Sequence, residues 1–230
     1  MRLLALETST EYCSCAILTD SGMIELVEHA GQRHSALLLP MVERLLAQAG
    51  TSVAQLDGIA FGAGPGSFTG LRIGCSVAQG LALAGDLPVV PVVTLEALAE
   101  DSGSKHVLAC LDARMGELYI AAYRMAEGLW QASIAPQIAD PQALPPLAGL
   151  WAGRGSGFAV QSEALSQAYR FEHIDAQAFP RARAVAVLGG RALAAGAGVD
   201  AGSAGPLYLR DKVALDVREQ AAARAARKAA

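Results

Sequence analysis

The sequence Gly62-Ala63-Gly64-Pro65-Gly66-Ser67-Phe68-Thr69-Gly70-Leu71-Arg72-Ile73-Gly74 joins a predicted strand (58–61) to a predicted helix (68–84). Glycine lets the backbone turn sharply, and consecutive N–H groups at the start of a helix attract anions. However, no lysine follows the glycines as in a P-loop, and the spacing is not GxGxxG. Phosphate binding and a purely structural turn that needs only small residues are therefore equally compatible with this motif.

The segments on either side of this turn predict a sheet with helices against it. Apolar runs at 3–7, 14–18 and 23–29, separated by polar turns, predict an antiparallel meander of three strands. A helix is predicted over 35–49, and a further buried strand over 89–93.

The same layout begins again near residue 105. An apolar run at 107–111 ends in Asp112, and a turn leads to a second predicted strand at 117–123. This internal repetition predicts two lobes built on one plan. We expect a first lobe over 1–104, a smaller second lobe over 105–209 and a helical C-terminal tail over 210–230.

Composition limits the kinds of function. The 230 residues are 53% hydrophobic, which is ample for a packed core, and the formal net charge of −4 argues against broad binding to phosphate backbones. No run of about eighteen apolar residues appears, and Glu7 comes too early for a signal peptide, so we expect a cytoplasmic protein without membrane contact. The four cysteines lack zinc-site or disulfide spacing and are expected to be buried as small apolar residues.

The helix after the glycine turn has a face that another helix could approach closely. Small residues recur every fourth position beside a ridge of larger ones, and the first helix has more apolar surface than one sheet face requires. Docking against the protein's own sheet is the simpler interpretation; an intermolecular interface is the alternative that we prefer. The candidate interface residues are His34, Leu38, Met41, Leu45, Gly70, Ile73, Gly74, Val77, Ala78 and Leu81. We expect Gly74→Leu to break partner binding without unfolding the chain.

Several motifs together resemble one family. Residues 64–74, with the segments 4–10, 34–41, 111–117 and 206–210, are similar to the signature of the TsaB (YeaZ-type) family. That family belongs to the actin, sugar-kinase and heat-shock ATPase superfamily. The resemblance implies an α/β protein with two lobes of ribonuclease-H-like topology, in which mixed sheets are flanked by helices.

The resemblance also implies a function and partners. It implies a non-catalytic subunit that supports the paralogue TsaD, which holds metal and transfers a threonylcarbamoyl group to the tRNA adenosine next to the anticodon. The ATPase TsaE joins the pair. We also expect a homodimer when TsaD is absent, because an exposed apolar helix pair would otherwise meet water. No cofactor is implied for this chain alone, although ATP or ADP could bind at the interface with TsaD. We expect contact with tRNA mainly through the complex.

A weak nucleotide-dependent ATPase or kinase-like enzyme is the alternative function. An active enzyme of this superfamily uses an acid at the end of the first strand, where this chain has Glu7, one methylene longer than the usual aspartate. Asp112 could hold a metal or pair with Arg114, and the later glycines could approach a nucleotide or serve a turn. The candidate vestigial nucleotide site comprises Glu7, Thr8, Ser9, Asp112, Arg114, Gly153 and Gly155.

A metallopeptidase is a third hypothesis, and the sequence gives it no support. The four histidines, His29, His34, His106 and His173, form neither HExxH nor HxxxH, so we expect no metal site. Ser67 and Thr69 have no histidine positioned by sequence as a base. His34, just before the first helix, is expected to be a surface polar residue rather than a ligand.

Overall fold

The computed structural model describes residues 1–210, so the predicted tail lies outside the described residues apart from Arg210. Within the described residues the strands are β1 (Leu3–Glu7), β2 (Tyr12–Thr19), β3 (Gly22–His29), β4 (Gly58–Gly64), β5 (Val89–Val93), β6 (His106–Asp112), β7 (Leu118–Ala126), β8 (Leu129–Ala139), β9 (Leu150–Arg154) and β10 (Arg170–Asp175). The α-helices are α1 (His34–Gln48), α2 (Phe68–Gly85), α3 (Thr94–Glu100), α4 (Gly157–Val160), α5 (Ser162–Ala168) and α6 (Ala182–Ala194).

The first sheet has the order β3-β2-β1-β4-β5. β1 pairs antiparallel with β2, and β2 antiparallel with β3, whereas β4 and β5 run parallel to β1. Both β1 and β4 are buried along their whole length, as expected for strands with helices on both faces. Alternate residues of β1 therefore supply two cores: Leu4 and Leu6 pack with α1 and α2, and Leu3 and Ala5 pack with α6.

The second sheet repeats this layout in the order β10-β9-β6-β7-β8. Its central strand β6 is antiparallel to β7 and parallel to β9, just as β1 is antiparallel to β2 and parallel to β4. Leu108 and Cys110 pack beneath α4 and α5, and Val107 and Ala109 pack beneath α3. The predicted fold class is confirmed: the chain has the two-lobed, actin-like arrangement of mixed sheets flanked by helices.

The predicted boundary of the second lobe needs correction. Helix α6 lies within 105–209, yet it packs against β1, β2 and β4 of the first sheet. Gly189 lies directly on Ala60, where an added Cβ would stand 2.4 Å from the Ala60 Cβ. Further along, Leu207 N–H donates to the Ala63 carbonyl at 2.7 Å. The chain returns to the first sheet because the face that carries Leu3 and Ala5 must be covered, and α6 covers it.

Two other expectations can be compared with the described residues. All four cysteines are free and buried, as the sequence predicts. Over residues 1–210, no helix combines the length and apolar character needed to cross a membrane.

Candidate functional site

The side chain of Glu7 is enclosed at the end of β1. It is 2% exposed, and its Oε1 accepts a hydrogen bond from Ser9 N–H at 2.6 Å. The other oxygen, Oε2, is buried without a hydrogen-bond partner among the described residues. Burial raises the pKa of Glu7 above its ordinary value, and hydrogen bonds from Ser9 and Thr8 only partly oppose this. This acid is therefore sequestered rather than presented to a ligand.

Thr8 and Ser9 form hydrogen bonds between the polar turn after β1 and the glycine turn before α2. Thr8 Oγ1 donates to the Gly70 carbonyl at 2.8 Å, and Ser67 N–H donates to the Ser9 carbonyl at 2.7 Å. A Cβ at Gly66 would stand 2.5 Å from that same Ser9 carbonyl oxygen. The space next to the glycines is thus filled by the protein's own backbone, which favours the structural interpretation of the motif over phosphate binding.

Asp112 is occupied by its neighbour Arg114. Asp112 Oδ1 accepts from Arg114 N–H at 2.8 Å, and Oδ2 accepts from Arg114 Nη1 at 2.9 Å. The turn is tight: Arg114 and Met115 both adopt left-handed backbone conformations, with φ of 64° and 56°. This geometry corresponds to the local ion pair and not to an acid held open for a metal.

The two later glycines of the candidate nucleotide site meet protein atoms. A Cβ at Gly153 would stand 2.7 Å from the Phe158 ring, and one at Gly155 would stand 2.3 Å from the Cys110 carbonyl oxygen. Gly155 also has a φ of +111°, which other residues rarely adopt. Both glycines therefore serve close packing at the end of β9. Across residues 1–210, His, Cys, Asp and Glu side chains form no group of three or more that could hold a metal ion.

Most of the candidate interface residues point inward. His34, Leu38, Met41 and Leu45 of α1 are buried, as are Gly70, Gly74 and Ala78 of α2. His34 is 5% exposed with its Nε2 3.2 Å from the Tyr12 carbonyl oxygen, so the expectation of a surface histidine is wrong.

The small-residue face of α2 packs on the turn after β1. A Cβ at Gly70 would stand 2.0 Å from the Thr8 carbonyl oxygen, and one at Gly74 would stand 2.4 Å from Thr8 Oγ1. This contact argues against the expectation that Gly74→Leu leaves the chain folded, because the larger side chain would collide with Thr8 inside the lobe. Ile73, Val77 and Leu81 are half-buried and remain accessible on the outer side of α2.

The structure shows an outer face of α2 that the sequence analysis missed. Phe68 is 38% exposed and Leu83 is 72% exposed. The same helix has a second series of small residues, Ser76, Gly80 and Ala84, all exposed. Their spacing of four was visible in the sequence. The parallel series that begins at Gly70 has the same period, so spacing alone does not single out this outer face.

A groove lies beside this outer face, next to the start of α1. Its volume is about 420 Å³, and it is lined by Ser35, Phe68, Thr69, Arg72, Ile73, Ser76 and Val77. The walls combine apolar side chains with hydroxyl groups.

Known proteins match this chain over nearly its whole length. A model of the family described as tRNA N6-adenosine threonylcarbamoyltransferase, TsaD, matches residues 26–216. The tRNA threonylcarbamoyladenosine biosynthesis protein TsaB of Escherichia coli (strain K12) is 36% identical, with 93% of this chain and 96% of that protein aligned. TsaB of Haemophilus influenzae is 41% identical over 71% of this chain and 75% of that protein.

Two solved structures from Pseudomonas aeruginosa have the same fold. YeaZ is 39% identical, with a TM-score of 0.84 over 90% of this chain and 99% of that one. An uncharacterized protein with similarity to the peptidase YeaZ is also 39% identical, with a TM-score of 0.85 over 91% and 99%. The fold and the family match define a two-lobed protein of the threonylcarbamoyltransferase class. Within that class, the chain belongs to the TsaB (YeaZ-type) family.

Proposed function

We propose that this chain is a non-catalytic subunit of the machinery that forms threonylcarbamoyladenosine in tRNA, and that it supports TsaD in the transfer step. Relatives that align over most of the chain are named for this biosynthesis. The observation that supports a non-catalytic role is the enclosure of Glu7, since a phosphoryl-transfer enzyme of this fold needs that acid beside a nucleotide. Asp112, engaged by Arg114 through both oxygens, offers no substitute.

The outer face of α2, with the start of α1, is the proposed docking surface for TsaD. Glycine in a helix costs about 1 kcal/mol relative to alanine. Gly70 and Gly74 are explained by their contact with Thr8, but a Cβ at Gly80 would meet nothing within 4 Å. The intramolecular packing of the described residues therefore gives no reason for a glycine at 80, whereas a helix docked from another chain would. Leu83, largely exposed beside it, would be buried by the same contact.

The proposed complex with TsaD also includes other components. TsaE joins the complex, and the same face supports a homodimer when TsaD is absent, because an exposed apolar surface favours pairing. ATP or ADP, if bound, lies at the interface with TsaD, and tRNA is contacted mainly through the complex. The protein acts in the cytoplasm.

The experiment is size-exclusion chromatography with light scattering on this chain mixed with TsaD of the same organism, followed by a threonylcarbamoyl-transfer assay with and without the chain. We expect a stable heteromeric complex and transfer that depends on it. Gly80→Leu should abolish the complex, whereas Ser166→Leu, which places the same side chain on an exposed position of α5, should not. If the chain neither binds TsaD nor affects transfer, the proposal is wrong.

Isolated protein should show negligible ATP turnover. Measurable hydrolysis that is lost in both Glu7→Ala and Asp112→Ala would favour the alternative, a nucleotide-dependent enzyme.

A further inference from the structure

Arg72 is held rigidly although it lies on the surface. The centre of its guanidinium is 3.6 Å from the centroid of the Phe68 ring, and its Nε donates to the Tyr208 hydroxyl at 2.9 Å. Phe68 and Tyr208 in turn pack on each other with ring centroids 5.6 Å apart. The stacking and the hydrogen bond together fix the plane of the guanidinium before any ligand arrives, so less conformational entropy is lost on binding.

Within residues 1–210 the two terminal nitrogens of Arg72 have no partner. Among residues 1–210, neither Nη1 nor Nη2 donates a hydrogen bond to the protein, and no carboxylate lies within 4 Å of the group. The guanidinium uses Nε to bond Tyr208 and stacks one of its faces on the Phe68 ring. The edge of the guanidinium that remains open presents Nη1 and Nη2 side by side. This edge matches the two oxygens of a carboxylate, which lysine cannot match in the same bidentate geometry.

Arg72 has no other charged residue near it on its own helix. Arg72 is the one charged residue in the whole of α2, from Phe68 to Gly85. It lines the 420 Å³ groove together with the apolar Ile73 and Val77 and the hydroxyl-bearing Thr69 and Ser76. A ligand that fills this groove meets apolar side chains, hydroxyl groups and the single positive charge of Arg72.

We propose that Arg72 and this groove form the recognition site for a helix of the heteromeric partner that carries an Asp or Glu side chain next to an apolar residue. The carboxylate pairs with the free edge of the guanidinium, and the apolar side chain enters the groove between Ile73 and Val77. The charge complementarity of a lone arginine on an otherwise uncharged helix selects an acidic partner. The inference rests on the proposed function, because it concerns the same surface.

The test is the affinity for TsaD of the same organism, measured by isothermal titration calorimetry at several NaCl concentrations. We expect Arg72→Gln to weaken binding by about 10- to 100-fold, the range of an interface hot spot, and to flatten the salt dependence. Arg72→Lys keeps the charge but loses the fork, so it should recover only a minor part of the affinity. Tyr208→Phe, which removes the acceptor for Nε and keeps the ring, should cost less than Arg72→Gln does.

Matched controls separate the possible results. Arg170→Gln makes the same charge change at an exposed position of β10 and should leave the affinity within about 2-fold. The thermal unfolding of Arg72→Gln should match that of the unmodified chain, since the guanidinium lies at the surface.

If the unmodified chain binds TsaD and Arg72→Gln binds equally well, the arginine site is wrong while the proposed function stands. If the unmodified chain does not bind TsaD, the proposed function itself fails.

A second copy of this chain is the competing occupant, with Glu43 of α1 as the exposed acid. Loss of homodimer in both Arg72→Gln and Glu43→Gln with unchanged TsaD binding would overturn the proposal in favour of that copy.

Discussion

The carboxylate of Glu7 occupies the space above Gly62 that any other residue would need for its side chain. A Cβ built at Gly62 would stand 1.9 Å from Glu7 Oε2, a separation that real structures do not allow. The longer acid at the end of β1 and the glycine in β4 are therefore coupled. The extra methylene of glutamate, compared with aspartate, lets the carboxylate reach across the neighbouring strand.

This coupling predicts a non-additive pair of substitutions. Gly62→Ala should destabilise the protein by about 1–3 kcal/mol, the range for overpacking a filled core, because the new methyl overlaps the carboxylate. In the background of Glu7→Ala, which removes the obstructing group, the same change should cost much less. Urea denaturation of the two single variants and the double variant measures the interaction energy. Equal costs of Gly62→Ala in both backgrounds would contradict the contact.

Glu7 should also make stability depend on pH in a definite direction. Its folded pKa is raised above the ordinary value of 4.5 by burial, so the folded state binds its proton more tightly than the unfolded state does. The destabilisation is absent below pH 4.5, grows as the pH rises through the folded pKa and is constant above it.

Glu7→Gln keeps an acceptor for Ser9 N–H and cannot ionise. The free energy of unfolding of this variant minus that of the unmodified chain should therefore increase from about pH 4 upward and level off only above the folded pKa of Glu7, as measured by urea denaturation from pH 4 to 8. A difference that stays flat over this range would show that the carboxylate is solvated in the folded state.

Two glycines of α2 should respond to alanine in opposite ways. Gly74→Ala places a Cβ 2.4 Å from Thr8 Oγ1, so we expect a loss of stability, of about 1–3 kcal/mol. Gly80→Ala adds a Cβ in open space and removes the helix cost of glycine, so we expect a gain of about 0.5–1 kcal/mol. Thermal unfolding of the isolated chain checks both, and a similar loss at both positions would mean that Gly80 is packed against the protein itself.

The glycine turn depends on one buried hydroxyl. Gly64 N–H donates to Thr94 Oγ1 at 3.1 Å, at the first residue of α3. Thr94→Val has the same shape but leaves this N–H without a partner, so it should cost about 1–3 kcal/mol, whereas Thr94→Ser should cost less because the hydroxyl remains. Denaturant unfolding distinguishes the two. Should serine be as costly as valine, the methyl group and not the hydrogen bond stabilises this position.

Local periodicity was sufficient to locate the first lobe. The predicted strand 3–7 and the strand 89–93 coincide with β1 and β5, and the predicted helices differ from α1 and α2 by a residue at their ends. These elements follow from apolar runs between turns and from glycine stops, which act over a few residues. The same signals repeated after residue 105 predicted β6 and β7 of the second sheet.

For the candidate nucleotide site, the sequence predicts which residues to consider but not whether they are exposed. The sequence identified Glu7, Asp112 and the glycines as the groups to consider, but it left open whether each was exposed. That depended on contacts between residues far apart in the chain, such as Glu7 with Gly62 or Gly155 with Cys110. Asp112 is different, because its partner Arg114 is only two residues away, and the sequence alone suggests an ion pair as one alternative to a metal site.

The sequence by itself determined the five strands of the first sheet, the helices α1 and α2, the two-lobed fold and the family, because these are encoded in local patterns and in a long motif. Only the tertiary structure decided which face of α2 is inside. The helix has small residues on two faces with the same spacing, and its apolar content does not distinguish them. Contact with Thr8 selected the face of Gly70 and Gly74, while the return of α6 covered the opposite side of the sheet. Both depend on packing between distant segments, which no local pattern specifies.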